Sequence, residues 1–265
     1  MDLGLSGKRA IVTGGSRGIG RAVARGLALE GVDVVLAARS ADTLAATAKE
    51  LSQETGRRVI GVPTDTGDEE SVRALVQTVV DELGGVDILV NSAATPWSSG
   101  KPRDFASTTD DLVREEVEIK VLGYLRTARE VAPHFIEQGW GRIINISGLG
   151  ARQSNSIAQT VRNVSVAALT KNLADELGPH GINVTVVHPG LTRTERLTDR
   201  LAAQSETEGI SVAVLEERLV TNSIGRIVDA SEVADVVTFL ASPRGVAITG
   251  DAVAAGGGVP GFVYY

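Results

Sequence analysis

The sequence predicts an α/β fold, a doubly wound parallel sheet of about seven strands. Three observations carry that expectation. Apolar, β-rich runs alternate with amphipathic helical segments; the runs are nearly continuous in Val, Ile and Leu; and the first run ends in a glycine-rich turn that opens a helix. Strands that are apolar throughout, rather than at every second residue, suit a sheet whose two faces are both covered by helices.

The elements follow in order. Arg9 to Thr13 reads as the first strand, with a helix from Gly18 to Glu30 after it. Val32 to Ala38 is the second strand, followed by a helix from about Ser40 to Glu54. Val59 to Pro63 is the third, and the helix from Asp68 to Leu83 opens on acidic residues that suit its N-terminal dipole. Strands are expected at Val86 to Asn91, Gly141 to Ser147 and Ile182 to His188, separated by helices near Asp110 to Gln138 and Ser156 to Leu177. Beyond Gly190 the pattern breaks into a polar stretch to about Gly225; a helix at Ser231 to Ala241 and a short strand near Asp251 to Ala254 follow. No repeat or interdomain linker interrupts this order, so residues 1–265 read as one domain.

Composition narrows the partners. A net charge of −7 argues against general nucleic-acid binding, which needs basic surface to displace counterions. No apolar run reaches membrane-spanning length, and Met1-Asp2-Leu3-Gly4 lacks the basic and apolar regions of a signal peptide, so a cytoplasmic, soluble protein is expected. The chain has no cysteine, and His134, His180 and His188 show no ligand spacing, so no metal is expected.

The motif with the most chemistry is Thr13-Gly14-Gly15-Ser16-Arg17-Gly18-Ile19-Gly20, between the first strand and the first helix. Glycines let the backbone turn sharply and approach a pyrophosphate, whose charge meets the free N–H groups of the helix start. The plain alternative is an ordinary glycine-rich turn; its place after a first strand and before a helix favours a dinucleotide.

Thr-Gly-x-x-x-Gly-x-Gly differs in spacing from the general dinucleotide fingerprint and resembles the short-chain dehydrogenase/reductase family, a Rossmann-type fold. The resemblance continues in Asp65, Asn91-Ser92-Ala93-Ala94, Gly139 to Ser147, Ala168-Leu169-Thr170-Lys171, Pro189-Gly190 and Ile248-Thr249-Gly250, which is essentially the whole chain. It implies that Asp65, with Thr66 beside it, holds the adenine amino group. Asn91, with Ala93, lies against the adenosine ribose. Backbone from Pro189 and Gly190 through Thr192 to Thr194 meets the nicotinamide amide and the diphosphate. It also implies a small-molecule substrate and a homotetramer or homodimer, one interface being formed by the helices at Asp110 to Gln138 and Ser156 to Leu177.

Which dinucleotide binds is a question of charge. An acid ending the second strand would bond the ribose 2′-hydroxyl and repel a 2′-phosphate. Here the strand ends Ala37-Ala38-Arg39-Ser40, and Arg39 and Arg17 are placed to clamp a phosphate, which selects NADP(H). Two solvated arginines are the bland alternative.

The usual catalytic groups are missing. Family members carry an Asn on the fourth helix, a Ser after the fifth strand and Tyr-x-x-x-Lys on the next helix. Counting back from Ala168-Leu169-Thr170 puts Gln159 at the tyrosine position and Asn163 at the lysine position, and no tyrosine occurs between Tyr124 and Tyr264. The usual serine falls on Gly148, with Ser147 one position earlier. Lys120 stands where the asparagine is usual, so Lys and Asn have changed places between two helices that the resemblance brings together. Lys120 is then expected in the pocket, gripping the ribose or donating a proton after its pKa has been lowered; the ordinary reading is a solvated charge. Gln159 can polarise a carbonyl but holds no transferable proton. Tyr124, one turn beyond Lys120, is expected to pack or to meet another subunit.

Other residues are weaker pointers. Arg152 and Arg162 could bind an acidic substrate group or be surface charges. His188 reads as a hydrogen-bonded packing residue. Trp97 is a candidate cavity wall and Trp140 a packing residue, and residues 191–225 resemble the family's substrate-covering segment. The tail from Gly261 to Tyr265 is a candidate cover for a neighbouring subunit. The expected activity is NADP(H)-dependent hydride transfer to or from a carbonyl, alcohol or activated alkene, in an altered active site. A catalytically silent NADP(H)-binding subunit or sensor, or a non-redox lyase or isomerase, remains open.

Overall fold

The computed structural model describes residues 1–95, 104–154 and 156–261. Trp97 and the tail residues 262–265 lie outside the described residues. The chain alternates β1 (Arg9–Thr13), α1 (Gly18–Leu29), β2 (Asp33–Ala38), α2 (Ala41–Thr55), β3 (Val59–Pro63), α3 (Glu69–Leu83) and β4 (Ile88–Asn91). It continues with α4 (Asp110–Val117), α5 (Gly123–Gln138), β5 (Gly141–Ile146), α6 (Ile157–Leu177), β6 (Ile182–Pro189), β7 (Thr192–Arg193), α7 (Glu195–Glu208), α8 (Val212–Leu219), β8 (Val228–Asp229), α9 (Ala230–Ala241) and β9 (Ala252–Ala255).

Seven strands form one parallel sheet in the order β3-β2-β1-β4-β5-β6-β9. Alternate strand residues serve opposite faces. Val12, Leu36, Val90 and Ile144 pack under α1, α2 and α9, while Ile11, Val35, Leu89 and Ile143 pack under α3, α5 and α6. The strand order reverses between β1 and β4, which opens a crevice at their C-terminal ends, where such sheets take ligands. Helix α3 begins as its acidic start implied: Asp68 caps it by accepting from the amides of Glu70 and Ser71.

Two features differ from the expectation. The helix foreseen over Asp110 to Gln138 is present, but Glu118–Leu122 between α4 and α5 is a π-helical segment with Lys120 at its middle. An inserted π turn re-aims side chains and is common at functional sites. The stretch after Gly190, expected only as a polar break in the alternation, forms β7, α7 and α8. Its composition is polar because these helices bury only a narrow stripe, Leu197, Leu201 and Leu215, in a small cluster with Ile227. No helix among the described residues is long and apolar enough to cross a membrane.

Candidate active site

The glycine turn lies at the crevice. Gly14, at φ +67°, donates its N–H to Ala37 O at 2.7 Å, and a Cβ there would come within 2.9 Å of Ser92 O. A Cβ on Gly20 would overlap the Gly14 carbonyl oxygen. The backbone is therefore bare of side chains where the chain turns into α1. Arg17, the residue before that helix, makes no side-chain cap, and the first turn carries no acid. The cradle nonetheless holds an anion of the chain's own: Gly18 N–H donates to Glu195 Oε2 at 2.9 Å, and Arg21 pairs with the same carboxylate at 3.4 Å. Free amides, a stripped backbone and a carboxylate already accepted there fit a dinucleotide diphosphate.

Around the cradle, the exposed side chains of Arg17 and Arg39 have no hydrogen-bond or ion-pair partner among the described residues, and Ser40 Oγ lies 2.9 Å from Thr43 Oγ1. Ser16 is buried, its carbonyl accepting from Thr47 Oγ1. Thr194 caps α7 and its methyl lies against Gly18, which brings the start of α7 to the start of α1. Ile19, Pro189 and Gly190 line the main cavity, and Thr192 Oγ1 donates to Gly190 O at 3.0 Å. Asp65 is exposed, with one carboxylate oxygen accepting from Gly67 N–H at 2.9 Å; Thr66 is buried against Gly123.

Two expected contacts need correcting. Asn91 is fully buried: its Nδ2 donates to Asn145 Oδ1 at 3.0 Å, and its Oδ1 accepts from Thr127 at 2.7 Å. It has no surface to offer a ribose, because the end of β4 needs its polar side chain satisfied inside the core. Thr13 is likewise fully buried, its Oγ1 accepting from the amides of Ser92 and Ala93 at 3.0 and 3.1 Å. Both hold the cradle together and leave ligand contact to others.

The main cavity, about 520 Å³, opens at the C-terminal ends of β5 and β6. Gln159, Arg162 and Asn163, at i, i+3 and i+4 on α6, form one polar wall, and Leu219 to Asn222 also line the cavity. Lys120 and Asn163 do meet. Lys120 Nζ donates to Asn163 Oδ1 at 3.1 Å and to Ser147 O at 2.8 Å, in a fully enclosed position. Burial first, then the Arg162 guanidinium, drives its pKa well below the ordinary lysine range, against a weaker opposing pull from Glu116. Two of the Lys120 N–H bonds are spent on the Asn163 and Ser147 oxygens. The expected place in the pocket is corrected, because Lys120 lies behind the wall and does not line the cavity. Asn163 stands between.

Ser147 lines the cavity, but its hydroxyl donates to the Asn163 carbonyl oxygen at 3.0 Å, tying the end of β5 to α6. Tyr124 is a packing residue: it is buried and its hydroxyl donates to Ile146 O at 3.0 Å, while burial pushes its pKa upward. His188 is buried too, its pKa lowered to about 4 by burial and by Arg152 and Lys120, and its Nδ1 has no partner, contrary to the bonded packing role foreseen. Arg162 corrects the surface reading. It is 7% exposed and pairs through Nη1 with Glu116, which is 1% exposed. Glu116 was not singled out in the sequence, since its partner Arg162 lies 46 positions away. Glu195 was seen only as part of a covering segment. Among the described residues no group of His, Cys, Asp and Glu is arranged to hold a metal ion.

Residues 8–205 match the family model for short chain dehydrogenase. The chain belongs to the short-chain dehydrogenase family. Its fold is that of the NAD(P)-dependent oxidoreductases of this kind. The chain is 33% identical over 255 residues to the short-chain reductase protein NovJ of Streptomyces niveus, covering 95% of this chain and 93% of that one. It superposes with a TM-score of 0.93 and 31% identity on L-sorbose reductase from Gluconobacter frateurii, crystallised with NADPH and L-sorbose, covering 99% and 100% of the two chains. A short chain dehydrogenase from Burkholderia cenocepacia in complex with NADP gives 0.79 and 30%, over 96% and 98%.

Proposed function

We propose that this short-chain dehydrogenase is an NADP(H)-dependent oxidoreductase with an altered active site, acting on a carbonyl, alcohol or activated alkene. The observation that carries the cofactor choice is the pair of unpartnered cations, Arg17 and Arg39, flanking a β2 end that holds Ala38 and no acid. NADPH-bound and NADP-bound relatives support the same reading. When bound, the nicotinamide gives or takes hydride. The chain's own residues do the rest: amides at Gly18, Ile19 and Gly20 receive the diphosphate, Arg39 and Arg17 the 2′-phosphate, and Asp65 the adenine. Asn163 turns to the nicotinamide ribose, and Gln159 hydrogen-bonds the reacting carbonyl. Lys120 is a positioning residue that fixes Asn163. The single domain, residues 1–265, carries residues 191–225 as the cover over the substrate, and the exposed stripe Ile157, Val161 and Val164 on α6 supports assembly of copies through this helix.

Fluorescence titration with NADPH and NADH tests the proposal. Wild-type protein should bind NADPH saturably and in preference to NADH. Arg39→Asp should weaken NADPH about ten- to a hundredfold, the scale of one charge-assisted phosphate contact, and leave NADH nearly unchanged. An unaltered preference would reject the account of the 2′-phosphate. Glu195→Ala removes the internal rival for the α1 amides, so NADPH affinity should rise about three- to tenfold; equal or weaker affinity would show that the carboxylate does not compete. The silent, dinucleotide-binding reading has one observation in its favour: Gln159 and Asn163 offer the cavity no transferable proton. NADPH consumption over a panel of carbonyls and enones separates the two.

A further inference from the structure

The polar wall on α6 can be read donor by donor. Asn163 Oδ1 accepts from Lys120 Nζ at 3.1 Å, so the amide presents its Nδ2 donor end to the cavity. Arg162 spends Nη1 on Glu116 and the Thr95 carbonyl, and its Nη2 has no partner among the described residues. Gln159 has no hydrogen-bond partner among them either, which leaves its amide free to turn a donor inward. The second arginine in the lining, Arg226, is committed through both terminal nitrogens to Glu232. Among the described residues the lining contains no Asp, Glu, His, Lys, Tyr or Cys, and the Ser147 hydroxyl is committed to Asn163. The wall is rich in donors and poor in transferable protons.

Such a wall stabilises an oxygen that becomes negative but does not protonate it. Hydride addition to a simple ketone leaves a localised alkoxide, a strong base that needs a proton from the site. Hydride addition to the β-carbon of a conjugated carbonyl leaves an enolate, whose charge is spread over oxygen and α-carbon and can wait for a proton from water. Building on the cofactor reading above, we propose that this cavity reduces the carbon–carbon double bond of α,β-unsaturated carbonyl compounds, with Gln159 and Arg162 holding the enolate oxygen. The β-carbon accepts hydride from the reduced nicotinamide and forms a C–H bond, while the alkene π pair moves toward the carbonyl as enolate. The α-carbon then takes a proton from water. One NADPH and one proton are consumed for each alkene saturated, and the carbonyl survives.

The test uses the full chain, NADPH deuterated at the transferring position, and 2-cyclohexenone and cyclohexanone as probes. Cyclohexanone bearing deuterium at C3, with no reduction of cyclohexanone itself, is the expected result. Formation of alcohol from either ketone, or no consumption of NADPH with the enone, overturns the proposal; saturable NADPH binding measured in the same preparation shows whether the cofactor reading still stands. A second readout needs no turnover. With NADP present, 4-nitrophenol should bind as its coloured anion at a pH where the free dye is mostly protonated, and binding only as the neutral phenol counts against an oxyanion site. Gln159→Leu, at a residue without internal partners, should lower kcat/KM for the enone about a hundredfold and weaken the dye anion, with NADPH affinity held within about twofold. An unchanged kcat/KM in that variant removes Gln159 from the site. Arg162→Lys, which keeps a cation opposite Glu116, should weaken the dye anion without preventing folding.

Discussion

Alanine in place of Gly20 is expected to abolish productive uptake of the dinucleotide, with NADPH affinity falling at least about a hundredfold, or roughly 3 kcal/mol. The added methyl would overlap the Gly14 carbonyl oxygen and lie 2.8 Å from its carbonyl carbon, both backbone atoms that no rotamer change can move aside. The relief available is to push the Gly14 turn away from α1, and that turn is already pinned. Gly14 is bonded to Ala37 and crowded by Ser92 and Ala93, which Thr13 holds through its hydroxyl. Overpacking of this kind also costs about 1–3 kcal/mol of stability. Gly178→Ala is the control, since a Cβ there meets nothing within 4 Å and the φ is −55°. Fluorescence titration and urea unfolding of both variants check the result; wild-type NADPH affinity in a folded Gly20→Ala protein would show that the close turn does not form the cradle.

Lys120→Met is expected to reduce turnover about a hundredfold while leaving NADPH affinity within a few fold, and to change how stability depends on pH. Methionine removes the donors to Ser147 O and Asn163 Oδ1, both inside the protein. Each abandoned acceptor costs about 1–3 kcal/mol, offset in part because an amine no longer has to be desolvated. The Asn163 amide then loses the partner that decides which end faces the cavity. The pH effect has a definite sign. The folded-state pKa of Lys120 is well below the usual 10.5, so between those two values the unfolded chain holds a proton that the folded chain does not. Stability therefore rises with pH across that window and is lost as pH falls toward the folded-state value. Urea unfolding at pH 7, 8, 9 and 10 should show wild type gaining on the Met variant as pH rises. Parallel curves would mean that the amine is charged in the folded protein.

Legibility in the sequence followed from how local each signal is. The limits of β1 and β3 coincide with the runs Arg9 to Thr13 and Val59 to Pro63, because a short run rich in apolar and β-branched residues marks a strand locally. Helices α7 and α8 escaped for the converse reason. A helix that buries only Leu197 and Leu201, or Leu215, leaves a periodicity too sparse to stand out from its polar neighbours. The stretch after Gly190 stood out in the sequence as a polar break, while its helices did not.

The site divides along the same line. Turn chemistry is a property of consecutive residues, so the order Thr13 to Gly20, the alternation of strands and helices, and the missing acid after Ala38 were determined by the sequence itself. Which way a polar side chain faces belongs to the packing around it. Tertiary structure alone turned Asn91 and Thr13 inward, drew Glu116 and Arg162 into a buried pair, set Glu195 on the α1 amides, and placed Lys120 behind Asn163 rather than in the cavity. The physical reason is that burial and hydrogen-bond satisfaction are decided by partners distant in the chain, 46 positions from Glu116 to Arg162 and 177 from Gly18 to Glu195, and no local pattern encodes them.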